Sequence, residues 1–118
     1  MKTVLIVEDE EELAGLLSGF LRDSGYRVVC AANGKQALSA MDAVHPDLVL
    51  CDILMPELDG LSVCRRLADH PLHKDVPVVL MTALAEHLNL NDYPHAALVR
   101  KPFDIDQLLL AIAQLTDR

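Results

Sequence analysis

Three runs in this chain are apolar at every position: VLIV (Val4–Val7), LVLC (Leu48–Cys51) and VVLM (Val78–Met81). Side chains along a β-strand point alternately to opposite faces, so a strand that is apolar throughout has both faces covered. Strands of that kind form the middle of a parallel sheet, and parallel neighbours need long connections, usually helical, between them. The chain supplies those connections. After the first strand, Thr3–Val7, residues Leu13, Leu16, Leu17, Phe20 and Leu21 recur at helical spacing, with an end expected near Ser24–Gly25. YRVVCAA (26–32) reads as a second strand, Asn33–Gly34 as a turn, and Ala37, Leu38 and Met41 as a short helix. DLVLCD (47–52) is a third strand, ILMPELDG a loop, and Leu61, Val63, Cys64 and Leu67 mark a third helix. VPVVLMT (76–82) and AALVR (96–100) are the fourth and fifth strands. Asp104 is placed to cap the last helix, with Gln107 three residues on as in a capping box and Leu108, Leu109, Ile112 and Leu115 as its stripe. HPLHKD and His45–Pro46 read as loops. Between Ala83 and His95, Leu84 and Leu88 favour a helix, while Asn89, Asn91 and Pro94 oppose it. The predicted fold is α/β: a doubly wound five-stranded parallel sheet with five helices divided between its faces.

At 118 residues the chain suits one domain, expected to span 1–118. Ten basic residues against eighteen acidic give a net charge of −8, which disfavours nucleic acid and anionic lipid as partners. Cys30, Cys51 and Cys64 show no metal-ligand spacing and are expected as buried free thiols, in keeping with a reducing compartment. No signal-peptide pattern opens the chain and no apolar run approaches a membrane span, so the expected location is the cytosol.

The chemistry is expected at one rim. In a doubly wound sheet, ligands gather at the carboxyl ends of the strands. Strand one runs into Glu8 and Asp9, strand three ends at Asp52, strand four at Thr82, and strand five runs into Lys101–Pro102. Neighbouring strands lie about 5 Å apart, so these carboxylates can approach closely. A like-charge pair at 4 Å costs about 4 kcal/mol at a working dielectric of 20. A hard divalent cation removes the conflict, and the set suggests a Mg²⁺ site with room for an anion. Lys101 can neutralise a carboxylate at rest or meet a phosphoryl oxygen, and the Thr82 hydroxyl can donate to the same oxygen. A cis bond before Pro102 would aim the lysine. Five acids run from Glu8 to Glu12; Glu11 and Glu12 are expected only to favour a helix N-terminus.

VLIVEDE, DLVLCDILMPELDG, PVVLMTA and KPF together resemble the receiver domain of two-component response regulators, over essentially all of the chain. The resemblance implies the flavodoxin-like (βα)5 form of the fold. It implies that Asp52 is the phosphoacceptor, that Glu8 and Asp9 with Asp52 place Mg²⁺, and that Leu54 offers the metal a backbone carbonyl. Thr82 resembles the switch hydroxyl, Lys101 the lysine that pairs with the phosphoryl group, and Pro56 and Gly60 fixed points of the loop beside the acceptor. The implied partners are a sensor histidine kinase or a histidine phosphotransfer protein, and an output domain or downstream protein. The implied setting is the bacterial cytoplasm, with neither nucleic acid nor membrane bound directly. Such a domain assists its own phosphorylation and dephosphorylation without being a turnover enzyme.

Two departures stand out. The position three before the lysine, often aromatic in the family, is Leu98, and the segment from Thr82 to Lys101 is short. They support an alternative, a degenerate receiver that binds partners without phosphorylation. A phosphatase with an aspartyl nucleophile would place an acid where Leu54 stands, and a nucleotide-binding fold would carry a Gly-rich loop after strand one; neither is present. In the family, positions 54 and 84 line the path of attacking water; Leu54 and Leu84 there imply slow self-dephosphorylation.

Overall fold

The computed structural model describes residues 1–53, 60–82, 95–101 and 104–116. Five strands, β1 (Thr3–Val7), β2 (Arg27–Ala31), β3 (Leu48–Asp52), β4 (Val78–Thr82) and β5 (Ala96–Arg100), pair in parallel in the order β2-β1-β3-β4-β5. That is the flavodoxin-like order, whose switch point falls between β1 and β3. Four helices accompany them in the described residues: α1 (Glu11–Asp23), α2 (Gly34–Val44), α3 (Gly60–Ala68) and α4 (Ile105–Thr116). The stretch 83–94, expected to be an uncertain helix, lies outside the described residues, as do Leu54, Pro56, Leu84 and Pro102.

Alternation along the strands sorts the core into two layers. Leu5, Val7, Val49, Cys51, Val78 and Leu80 face α2 and α3, meeting Ala37, Met41, Val63 and Leu67. Val4, Ile6, Leu48, Leu50, Val79 and Met81 face α1 and α4, meeting Leu17, Leu21, Leu108 and Ile112. β1, β3 and β4 are buried at every position, as their unbroken apolar runs require.

The helix ends follow from local chemistry. α1 closes in a Schellman arrangement: Gly25 N–H donates to Arg22 O and Tyr26 N–H to Leu21 O, both at 3.0 Å. Gly25 has φ +95°, a conformation that glycine adopts without steric cost. Asn33 and Gly34 do not form a separate turn. Asn33 caps α2, its side-chain oxygen accepting from Gln36 N–H at 2.9 Å. Asp104 Oδ1 accepts from Asp106 N–H at 2.8 Å at the start of α4.

One expectation about burial, that of Cys30, is corrected. Cys51 and Cys64 are buried, but Cys30 is exposed, because β2 is an edge strand. On α1, Leu17 and Leu21 enter the core while Leu16 and Phe20 stay at the surface, so the apolar stripe is wider than the face the sheet covers. The same outer surface holds Gly15 and Gly19, where an added Cβ would meet nothing within 4 Å. Gly19→Ala is therefore expected to stabilise the chain by about 0.8–1.0 kcal/mol. For a domain of this size that raises the thermal midpoint by about 4 °C, measurable by calorimetry; a lowered midpoint would contradict the open surroundings.

Candidate functional site

Glu8 directly follows β1, Asp52 is the last residue of β3, and Lys101 directly follows β5. The ladders continue past the strand ends: Glu8 N–H donates to Ala31 O at 3.0 Å, and Lys101 N–H to Thr82 O at 2.6 Å. The alternation that sorts the core therefore also aims these side chains. Glu8 continues the series Val4, Ile6; Asp52 continues Leu48, Leu50; Lys101 follows Val99. All three point to the α1–α4 side of the same rim. The switch point brings β1 beside β3, and so Glu8 beside Asp52.

Lys101 Nζ joins the two acids, 3.1 Å from Asp52 Oδ2 and 3.4 Å from Glu8 Oε1. Glu8 and Asp52 are buried, the Lys101 side chain is 23% exposed, and Asp9 is open to solvent. Glu8 Oε2 also accepts from Glu10 N–H at 3.2 Å. Burial chiefly pushes the Glu8 carboxyl up to about 7. A hydrogen bond with Asp9 and the charge of Asp52 add to this, while the Glu10 amide and Lys101 oppose it. For Lys101, burial works against the ammonium, but Asp52 and then Glu8 outweigh it and hold the group above the ordinary lysine range.

Thr82 is buried at the end of β4, on the alternate parity. Its backbone carbonyl anchors the Lys101 amide, so it helps position the lysine whatever its hydroxyl does. Of the residues singled out from sequence, Glu8, Asp9, Asp52 and Lys101 are thus brought together, and Thr82 borders them. Leu54 lies outside the described residues. Leu98, where an aromatic was the family's usual choice, is half-buried against the α2–α3 layer.

The acids suit a small hard cation. One oxygen each from Glu8, Asp9 and Asp52 lie within 4.8 Å of one another. On an octahedral Mg²⁺ with bonds of about 2.1 Å, oxygens sit about 3 Å apart when adjacent and about 4 Å apart when opposite. Small side-chain movements would close the difference, and the elevated Glu8 shows what a cation would relieve. The cleft lined by Lys2, Asp47, Asp75 and His95 lies at the other end of the sheet, where the strands begin; there His95 meets Asp75 at 3.4 Å and Asp47 Oδ2 accepts from Thr3 N–H at 2.8 Å, with no convergence of like charges on one point among the described residues. The convergent charges, not the larger hollow, mark the site.

A second group was not anticipated from sequence. Asp42 on α2 meets His70 and His73 from the connection between α3 and β4. His70-Pro71-Leu72-His73 carries a suggestive spacing, but the acid that completes the group comes from a distant helix.

Comparison with known proteins agrees with the geometry. Residues 4–113 match the response regulator receiver domain. The regulatory protein AtoC of Escherichia coli is 38% identical over 92% of this chain and 24% of that protein. The ycf27 transcriptional regulator of Cyanophora paradoxa is 36% identical over 99% of this chain and 49% of that protein. The chain spans about half the length, or less, of the curated relatives it matches. Among solved structures, the response regulator TrrA of Thermotoga maritima, in complex with Mg²⁺–BeF, is 33% identical with a TM-score of 0.87, covering 98% of this chain and 99% of that one. The receiver domain of a signal transduction histidine kinase from Syntrophus aciditrophicus is 30% identical with a TM-score of 0.87, covering 98% and 90%.

Proposed function

Because the chain belongs to the family of response regulator receiver domains, we propose that it works as a phosphorelay switch in which Asp52 takes a phosphoryl group from a phosphohistidine. Receiver domains serve phosphorelay signalling as acceptors and are not turnover enzymes. The observation that carries the finer reading is the Glu8–Lys101–Asp52 arrangement: a carboxylate held beside an ammonium and a second, buried acid at one strand-end rim. A receiver that had abandoned phosphorylation would have no use for that expense.

An Asp52 carboxylate oxygen attacks phosphorus in line. The N–P bond of the phosphohistidine breaks as the O–P bond forms, and the departing imidazole takes a proton from solvent. Lys101 turns from its resting partners to the phosphoryl oxygens. Bound Mg²⁺, held by Glu8, Asp9, Asp52 and the Leu54 carbonyl, would supply charge stabilisation for those oxygens. The Thr82 hydroxyl, one strand over, donates to the phosphoryl group and draws the end of β4 with it. That biases a two-state equilibrium, with a coupling of about 1–3 kcal/mol typical of such switches.

The partner is a sensor histidine kinase or a phosphotransfer protein. The exposed pair Leu16 and Phe20, on the helix that leaves the rim, offers it an apolar contact. The reading covers one receiver domain over 1–118, with output delivered by another domain or protein. It acts in the cytoplasm and contacts neither nucleic acid nor membrane itself; no helix among the described residues is long and apolar enough to cross a membrane. The expectation of a bacterial source widens, since relatives come from Cyanophora paradoxa and Guillardia theta as well as Escherichia coli.

Incubation with acetyl phosphate and Mg²⁺ tests the reading. Intact-mass spectrometry is expected to show a single added phosphoryl group, lost when the metal is chelated beforehand. A chain that stays unmodified with metal present would favour the phosphorylation-independent alternative.

A further inference from the structure

At the end of the molecule opposite the acidic rim, α2 finishes its descent and the α3–β4 connection turns back toward the sheet. Asp42 lies in the last turn of α2. His70 and His73 lie in consecutive tight turns, His73 N–H donating to His70 O and Val76 N–H to His73 O, each at 3.1 Å. Asp42 Oδ1 is 3.0 Å from His73 Nε2 and 3.8 Å from His70 Nε2. One ligand atom from each of the three residues falls within 4.8 Å of the others. We propose that Asp42, His70 and His73 form a zinc site that ties the end of α2 to the α3–β4 connection.

Zinc bonds of about 2.0–2.1 Å in tetrahedral geometry set donor atoms about 3.3 Å apart. The two observed separations, 3.0 and 3.8 Å, bracket that value. The donor set narrows the metal: two imidazoles and one carboxylate suit Zn²⁺ and its first-row neighbours, whereas Mg²⁺ takes oxygen. The acidic rim and this cluster therefore select different ions from the same solution.

Burial makes the site both formed and reachable. The His73 side chain is 3% exposed and so fixed in place, while His70 and Asp42, at 39% and 69%, leave a path for the ion. The rings of His70 and His73 lie 4.3 Å apart at 31°, already gathered on one side of the turn. His45, whose ring is 5.7 Å from that of His73, flanks the group and is not one of its three ligands. A solvent molecule would fill the fourth position.

Three features oppose binding and set its strength. His73 Nε2–H donates to Asp42 Oδ1 at 3.0 Å, so coordination through that nitrogen displaces its proton and gives up the hydrogen bond. His70 Nδ1 accepts from Leu72 N–H at 3.1 Å, so coordination through Nε2 moves the ring proton to Nδ1 and breaks that exposed hydrogen bond. Water can replace the lost partner. Arg66 lines the same cleft and brings a positive charge toward the metal. Arg66→Ala is expected to tighten binding for that reason.

The test is a calorimetric titration of the untagged chain with ZnCl₂ in millimolar Mg²⁺, in a Cys30→Ser background that removes the exposed thiol. One equivalent of Zn²⁺ per chain is expected, with Co²⁺ giving the visible absorption bands of a tetrahedral site. Asp42→Asn keeps an oxygen acceptor for His73, and His70→Gln changes a half-exposed residue, so both variants are expected to fold. Each should weaken binding by at least about tenfold, the loss that removing outer-shell partners alone can produce. His45→Gln should leave it unchanged, and phosphorylation by acetyl phosphate should be the same in all variants. Failure of the parent chain to bind one equivalent in the presence of Mg²⁺, or equal affinity in Asp42→Asn and His70→Gln, overturns the proposal.

Discussion

Asp52→Asn is expected to abolish phosphoryl incorporation from acetyl phosphate and from any phosphohistidine donor, while the protein remains folded. The amide is isosteric with the carboxylate, so the end of β3 keeps its shape, but it carries no charge and is too poor a nucleophile to attack phosphorus. Mass spectrometry of the intact chain reads the loss directly. The same substitution has a second consequence in the metal-free protein. Lys101 loses the charge of its 3.1 Å partner and, among the described residues, keeps Glu8 at 3.4 Å as its remaining carboxylate. Glu8, in turn, loses one of the charges that push its carboxyl up. Without metal at neutral pH the variant should therefore be at least as stable as the parent in urea titrations, by up to about 1 kcal/mol. A variant that still takes up one phosphoryl group would move the acceptor elsewhere. A variant that unfolds would mean Asp52 serves mainly as the lysine's counter-ion.

The site is legible in the sequence because of the topology. β1 and β5 occupy the residues expected for them, Thr3–Val7 and Ala96–Arg100, because apolar runs bounded by charge leave little choice of register. Once the sheet is parallel and doubly wound, the strand ends must share a rim, and the acids there become neighbours. β2, β3 and β4 were expected longer than they are, β3 by Asp47 alone; Tyr26 and Val76 are apolar enough to extend the strand pattern, yet Tyr26 packs against α1 and α4 and Val76 against the opposite layer. Cys30 misled for a related reason. An apolar neighbourhood suggests burial, but an edge strand leaves one flank bare, and strand order is a tertiary fact. Phe20 and Leu16 share a helical spacing with core residues but lie beyond the width of the sheet that α1 covers. The Asp42–His70–His73 group was wholly hidden, since two loop histidines and a helical acid acquire a common purpose only when α2 and α3 pack side by side. The elevated Glu8 was hidden too: its neighbours were legible, but its complete burial was not.

That burial leads to the other large effect, a metal-dependent loss of stability with rising pH. The folded chain holds the Glu8 proton up to about 7, against an ordinary 4.5. Because the folded pKa is raised, the contribution is fully present below about pH 4.5 and is lost as pH rises through about 7. A shift of that size corresponds to about 2–3 kcal/mol between about pH 5 and pH 8 in chelator-treated protein. Asp42 runs the other way, held below its ordinary 3.8 first by the hydrogen bond from His73, but its contribution is lost only as pH falls through the acid range, outside this window. If Glu8 holds the metal as proposed, Mg²⁺ should reverse the loss at about pH 8, where the carboxyl is ionised, and do little at about pH 5, where a proton competes for the same oxygen. Glu8→Gln should flatten the slope and remove most of the Mg²⁺ response together. Urea titrations at the two pH values, with and without Mg²⁺, separate these terms. A parent protein equally stable at both pH values, or a slope that survives in Glu8→Gln, would show that the buried acid is not where rim charge is stored.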